Sequence, residues 1–547
     1  MTQKRFLLAA VAMIAMAFNI SGQKHLKKLM NAEFAISQFY VDSISEDKLV
    51  EDAIKGMLQQ LDPHSSYSTP EETKELEEPL EGEFSGIGIQ FNMNADTLYV
   101  IQTVAGGPAE KVGIYAGDRI IEVEDTVIAG MKMSTSRIMK MLRGKKGTKV
   151  NVLVKRKGVS QPIPFRITRD DIPVYSIDAS YMADEKTGYI KISRFGKKTN
   201  DEFCDAVDKL KKNGMKQLVI DLTNNGGGYL QTSVELANNF LESGQEIVYT
   251  LGNNSPKFEA KANGRGRFKD ADFKVVVMVN QYSASASEIL SGALQDWDRA
   301  VIVGRRTFGK GLVQRPFRFN DGSMMRLTVA RYYTPSGRCI QKPYQAGDNE
   351  KYDMDIYNRL VDGELAHADS IHFPDSLKYE TLRSCRIIYG RGGIMPDVFV
   401  PLDTTEFTDY YRDLVAKGIV NQFVVDYVDS HRKEILKQYE TVADFDQHFT
   451  ISDSIMAELK DAGMRDSVKF DSLQYASSEP LIKDITKALI ARDVYSDPGA
   501  YMLVINHHDD IFLEAMKIIN DDRRYRSLLA PSSNAQKRDN KPTETQH

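Results

Sequence analysis

Histidine is missing from residues 65–366, although the 547-residue chain carries nine histidines elsewhere. A Ser-His-Asp triad inside that span is therefore excluded, because its imidazole base would have to be imported. Cysteine is scarce too, with only Cys204, Cys339 and Cys385. Three thiols make neither a disulfide framework nor a cluster with zinc-ligand spacing, so buried structural thiols are expected, with one bridge open in an oxidising compartment. The apolar run at residues 6–18 is 13 residues long, short of the roughly 20 that cross a bilayer comfortably. Charge of one sign is lacking as well: 71 basic and 76 acidic residues leave a net charge of −5. The basic residues are dispersed rather than striped, so no nucleic-acid partner is expected.

What is present starts with Lys4 and Arg5, followed by that apolar run and the small and polar residues 19–23. This is the layout of a secretory signal peptide, assigned to 1–22, and it implies export to the periplasm or cell envelope. Ile20 with Gly22, or Asn19 with Ser21, are the cleavage candidates. Retention as an anchor stays open, and with it peripheral membrane association. Apolar positions then recur at helical spacing, giving an N-terminal helical region over 23–80.

The most informative stretch is 275–314. Val275-Val-Val-Met-Val279 reads as a buried strand, and Ile289, Leu290, Ala293, Leu294 and Trp297 follow at helical spacing. Ser283, Ser285 and Ser287 thus fall where a helix begins, beside backbone N–H groups that lack helical partners and near the positive end of the dipole. Two readings stand: a nucleophile beside a ready oxyanion site, or a capping box formed by Ser285 and Glu288. With no histidine nearby, Lys310 in its glycine-flanked turn is the available base. A lysine must lose its proton to serve, and burial among Phe308, Leu312 and Val313 would lower a pKa of about 10.4. Gly304 to Lys310 also match the first seven positions of a phosphate-binding loop, but Gly311 replaces the Ser or Thr that would hold magnesium. A second glycine cluster, Gly226-Gly227-Gly228, sits where the strand 217–222 runs into a helix. Its N–H groups could hold a phosphate or an oxyanion.

Ser285 in SASASEI, Lys310 in TFGKG 25 residues later and Gln314 four beyond resemble the Ser-Lys catalytic set of the C-terminal processing, or tail-specific, peptidases. TPSGRCIQ at 334–341 and YGRGGIMPD at 389–397 are similar to further signatures of that family. The resemblance covers residues 60–342 and 385–400. It implies Ser285 as nucleophile, Lys310 as general base, Gln314 as the residue orienting the lysine, and the N–H groups of Gly228 and Ala286 as the oxyanion hole. No cofactor, metal or ATP is called for.

Within 81–169, Gly86-Ile87-Gly88-Ile89 could turn its N–H groups onto an anion while the isoleucines line an apolar slot. With Gly107-Pro108-Ala109, Gly117-Asp118-Arg119 and an amphipathic helix at 133–142, this segment resembles a PDZ domain. The resemblance implies peptide binding by Gly86, Ile87, Gly88 and Ile89, and polypeptide substrates held by their free C-termini. The expected fold is α/β and multidomain: a Clp/crotonase-like protease core over 170–402, an inserted α+β PDZ domain, and helical N- and C-terminal regions. Residues 343–384 read as a surface insertion, 403–529 as a helical appendage and 530–547 as a disordered tail. The terminal helices are the candidate homodimer surface. The reading is a serine endopeptidase that processes or degrades exported proteins. The alternatives are a non-catalytic PDZ peptide-binding scaffold on the same fold and a crotonase-like acyl-thioester enzyme.

Overall fold

Val275–Val279 has no exposed residue on either face, which requires a layer of helices on both sides of its sheet. The computed structural model describes residues 24–531 apart from Ala95, Ala105, Lys269 and Ala271. The assigned signal peptide and all but two residues of the assigned tail lie outside that range. Among the described residues, 24–73 together with 314–328 and 344–353 form one compact unit, and the others form a second.

In the larger unit a six-stranded sheet runs in the order Ile177–Met182, Thr187–Ile192, Gln217–Asp221, Val275–Val279, Val301–Gly304, Val398–Phe399. The first pair is antiparallel and the others are parallel. Alternation along the central strand decides what each face meets. Val275, Val277 and Val279 pack with residues of the helices Thr199–Lys212 and Ala286–Asp296, such as Phe203 and Leu290. Val276 and Met278 pack instead with Ile511, Phe512, Ala515, Ile518 and Ile519 of the helix Asp510–Asn520. Those five positions make an apolar stripe at helical spacing. The last part of the C-terminal region is thus a layer of the 170–402 core rather than an appendage to it.

Before that helix, a second hydrophobic core joins the helices Asp409–Ala416, Ile419–Gln438, Asp453–Arg465 and Ser472–Tyr495. The segment that resembles a PDZ domain is a separate antiparallel sheet, ordered Ile89–Asn94, Thr97–Thr103, Arg119–Val123, Lys149–Lys155, Ile163–Thr168. The helix Thr135–Leu142 seals its core through Ile138 and Leu142. The chain enters and leaves this segment through the strands Glu83–Gly86 and Asp170–Pro173, which pair with each other. In the smaller unit Ser66–Ser68 pairs antiparallel with residues 324–326, next to the helix Glu46–Gln59. No described helix is long and apolar enough to cross a membrane.

If the C-terminal helix is a core layer, Ile518→Ala, at a position with no exposed surface, lowers the unfolding free energy by about 2–5 kcal/mol. Urea titration measures this, whereas a loosely attached helix would give a change of about 0.5 kcal/mol or less.

Candidate active site

The three serines at the helix start are placed differently. Ser283 Oγ donates to the Leu222 carbonyl (2.8 Å) and accepts from Asn280 N–H (2.9 Å). Ser287 Oγ donates to the Asn225 carbonyl (2.9 Å). Both side chains are fully buried and spoken for. Ser285 is the half-buried one, at φ 56° and ψ −112°, a conformation that costs a non-glycine residue on the order of 1–2 kcal/mol. The expected capping box between Ser285 and Glu288 is present. Glu288 reaches back to Ser285 N–H (2.8 Å), and Glu288 N–H also donates to the Ser285 carbonyl (2.9 Å).

Glu288 does far more than close the helix. Its Oε2 accepts from the N–H groups of Ser285 and Lys310 (2.8 and 2.9 Å), and its Oε1 from Thr307 Oγ1 and Gly309 N–H (2.5 and 2.8 Å). One carboxyl group therefore fastens the Ser285 turn to the Lys310 loop. The Tyr332 hydroxyl adds a second tie, lying against the carbonyls of both residues. Glu288 is wholly buried, and burial pushes its pKa up to about 7, against the pull of its hydrogen bonds from Thr307 and the Lys310, Ser285 and Gly309 amides.

Residues 343–384 contribute here too, contrary to their reading as a surface insertion. The helix Asp355–Val361 buries Arg359, which donates to the Thr307 and Phe308 carbonyls (2.9 and 3.1 Å) and pairs with Asp355 (2.9 Å). The loop carrying Lys310 is thus held from both sides. A further buried pair, Asp296 with Arg338 at 2.7 Å, has no exposed surface on either side chain. It ties the last turn of the serine helix to the TPSGRC segment, where Ser336 N–H also donates to Asp296 (2.9 Å).

The glycine turn lies directly against Ser285. A Cβ at Gly227 would fall 2.8 Å from Ser285 Cβ, and one at Gly228 would fall 2.2 Å from the Phe195 carbonyl oxygen. Only glycine fits either place. Gly228 bridges to Phe195 through the Gly227 carbonyl and the Tyr229 N–H, which leaves its own N–H outside that ladder. Ala286 is the first helical residue, so its N–H has no intrahelical acceptor. Asn225 locks the two turns together: Oδ1 accepts from Gly227 N–H, and its carbonyl accepts from Ala284 N–H and Ser287 Oγ.

Gln314 falls in the smaller unit, where Nε2 donates to Thr328 Oγ1 (3.0 Å), which in turn donates to Asp62 (2.8 Å). In the PDZ segment Ile87 belongs to the domain core, with its carbonyl accepting from Ala109 N–H (2.9 Å). Gly86 ends the strand Glu83–Gly86, Gly88 takes φ +75°, and Ile89 begins the edge strand. Cys204, Cys339 and Cys385 are each half-buried, a correction to the expectation of buried ones. His507 pairs with Asp446, and His508 with Glu406 and Asp484. Among the described residues no cluster of three or more His, Cys, Asp or Glu could hold a metal.

The spacing of Ser285 and Lys310 was readable in the sequence, and so was the S-x-x-E pattern. Thr307, Tyr332, Arg359 and the Asp296–Arg338 pair were not, since no local pattern marks them.

A largely parallel sheet covered on both faces, a helix that starts at a half-buried serine and a separate antiparallel sheet are the parts that a PDZ-bearing peptidase combines. The family model for Peptidase family S41 matches residues 186–349, and the PDZ domain model matches 85–164. The N-terminal domain model of the activating protease CtpB matches 10–73, and a family of unknown function matches 410–496. The chain is 37% identical over 323 residues to the carboxy-terminal processing protease CtpA of Bacillus subtilis, covering 59% of this chain and 68% of that protein. It is 36% identical over 344 residues to a probable CtpA-like serine protease of Staphylococcus epidermidis, covering 61% and 69%. A Staphylococcus aureus protein described in the same words is 36% identical over 356 residues, covering 63% and 70%. The chain belongs to the C-terminal processing peptidases of family S41 and is a serine-type peptidase.

Two predictions concern the junction. Between pH 4.5 and about 7 native Glu288 keeps a proton that the unfolded chain has released, so its contribution to stability falls as pH rises, by about 3 kcal/mol across the window. Glu288→Gln removes that slope while misplacing donors at the junction; urea midpoints at pH 5 and 7.5 should fall for the parent and stay level for the variant. Arg359→Met takes its donor from the buried Thr307 carbonyl and from the part-buried Phe308 carbonyl and should cost roughly 2–4 kcal/mol, read in the same titrations at neutral pH.

Proposed function

We propose that the chain is an exported endopeptidase with a Ser285–Lys310 dyad, acting on polypeptides that its PDZ domain captures by their C-terminal ends. The observation that carries this reading is the junction at Glu288, which fastens the backbone of Ser285 to that of Lys310 while the neighbouring serines are committed to buried carbonyls. In the proposed reaction Lys310, as the neutral amine, takes the Ser285 hydroxyl proton as Oγ attacks the scissile carbonyl. The N–H groups of Gly228 and Ala286 receive the oxyanion. The lysine returns the proton to the leaving amine as the C–N bond breaks, and water deprotonated by the same lysine then cleaves the acyl-enzyme ester. Gln314 is assigned to orient the lysine on the strength of the family pattern alone.

Export rests on the charge and hydropathy pattern of residues 1–22, and peripheral membrane association on retention of that segment. Capture of free C-termini rests on the edge strand that begins at Ile89, where a peptide could add as a strand. Dimerisation through the terminal helices is supported by the apolar residues Leu26, Met30, Phe34 and Phe39, each more than half exposed.

The test is cleavage of an unfolded protein carrying a C-terminal tag. Ser285→Ala and Lys310→Ala should each lower kcat/KM by about 10³-fold or more with the melting temperature little changed. Parent-level cleavage by either variant would overturn the dyad, and a parent that binds the tag without cutting it would establish the scaffold reading. Amidating the tag should raise KM if the terminal carboxylate is what the PDZ domain reads.

A further inference from the structure

The strand Thr97–Thr103 breaks the usual pattern of a sheet with one buried face. Leu98 and Val100 point into the PDZ core, with Ile138 and Leu142 of its helix. Tyr99 and Ile101 alternate with them and so face away from that helix, yet each is only 3% exposed. What covers them is Val425, on the helix Ile419–Gln438 of the C-terminal helical segment.

Charge surrounds this apolar contact. Asp429, one turn along from Val425, lies 3.4 Å from Arg119 on the PDZ sheet and 3.4 Å from Lys157 in the loop after Lys149–Lys155. Lys157 also reaches Ser430 Oγ at 3.3 Å. The Arg119 guanidinium lies over the Tyr99 ring, 5.2 Å from its centre. Gly117 turns at φ +96°, and a Cβ there would stand 3.3 Å from Asp429 Oδ1, so glycine at this turn leaves room for the carboxylate. Burial and the neighbouring Asp429 push the Tyr99 phenol up to about 12, so it stays neutral at the contact.

Three separate PDZ elements therefore converge on two turns of one helix. The contact uses the outer face of the sheet, opposite the helix Thr135–Leu142, and leaves the edge strand Ile89–Asn94 outside it. We propose that the helical segment 410–496, whose family has no assigned function, is a docking platform that grips the PDZ sheet from behind, with Asp429 as its ionic anchor. Docking of this kind holds the PDZ domain in one pose while its peptide-binding edge remains usable. The docked pose is then the one that delivers a tail-bound chain to the protease core, a consequence that rests on the tail-capture reading above.

The experiment uses the full chain. Ile101→Cys and Val425→Cys are combined in a background with Cys204, Cys339 and Cys385 replaced by serine, and oxidised to a disulfide with a mild soluble oxidant. The cross-link should form in high yield and leave cleavage of a C-terminally tagged protein at the level of the unlinked enzyme. Asp429→Lys should lower the yield and raise KM for the tagged protein by roughly five- to tenfold, the effect of losing two partly screened ion pairs, with cleavage of a short untagged peptide unchanged. Adding Arg119→Glu and Lys157→Glu to Asp429→Lys should recover both yield and KM, which a merely damaged fold would not do. Failure of the cross-link to form, or a yield indifferent to Asp429→Lys, overturns the docking. A linked enzyme that no longer cleaves overturns the assignment of the docked pose as the working one. Fluorescence polarisation with a tag peptide separates the two readings: if the parent does not bind it, tail capture fails, and the docking still stands or falls on the cross-link yields.

Discussion

A carboxyl group shut away from water needs donors on every side, and at Glu288 those donors are the backbone of the site itself. Three of its four hydrogen bonds come from the amides of Ser285, Gly309 and Lys310. Such amides are fixed in direction by the chain, so satisfying the carboxylate also fixes where the chain runs. The serine turn and the lysine loop belong to different strand-to-helix and strand-to-loop connections, separated by the strand Val301–Gly304. Without a shared acceptor their spacing would be set only by the loops that carry them.

Those loops are poorly suited to the task alone. Gly309 takes φ +89° and Lys310 is bounded by glycine on both sides, which leaves much backbone freedom to be lost on folding. Ser285 has the opposite difficulty, since its positive φ is strained. Both problems have one solution in this chain: a dense set of buried hydrogen bonds from Glu288, Tyr332, Asn225 and Arg359. A buried polar network of this kind is stable only when its members are satisfied together, which explains why residues from four distant parts of the sequence meet at one place.

This also explains what was legible beforehand. The central strand, the helix after it, the glycine turn and the spacing of Ser285 and Lys310 are encoded within a few tens of residues and show as β-branched runs or helical periodicity. Glu288 was visible as a helix cap because capping is local, but its bonds to Thr307, Gly309 and Lys310 were not. Arg359 was hidden more thoroughly, since residues 343–384 are acidic and weakly periodic and carry no sign that one arginine turns inward. Residues 403–529 read as helical, but nothing local showed that the helix Asp510–Asn520 packs on the central strand. The cysteines were expected to be buried on the habits of the residue type, and local packing left all three half-exposed instead.

The same logic applies to the PDZ sheet. Leu98-Tyr-Val-Ile101 is a run of four apolar residues in a domain whose other strands mostly alternate, as Lys149–Lys155 does with buried and exposed positions in turn. Alternation suffices for a strand with one dry face, whereas a continuous run in an antiparallel sheet calls for a second covering layer. An undocked PDZ domain would present Tyr99 and Ile101 to water beside the cations Arg119 and Lys157. Removing that apolar surface from water favours docking whatever the salt concentration, while Asp429 supplies direction and a penalty for wrong placement. The apolar pair thus provides the attraction, and the ionic anchor selects the register in which the sheet meets the helix.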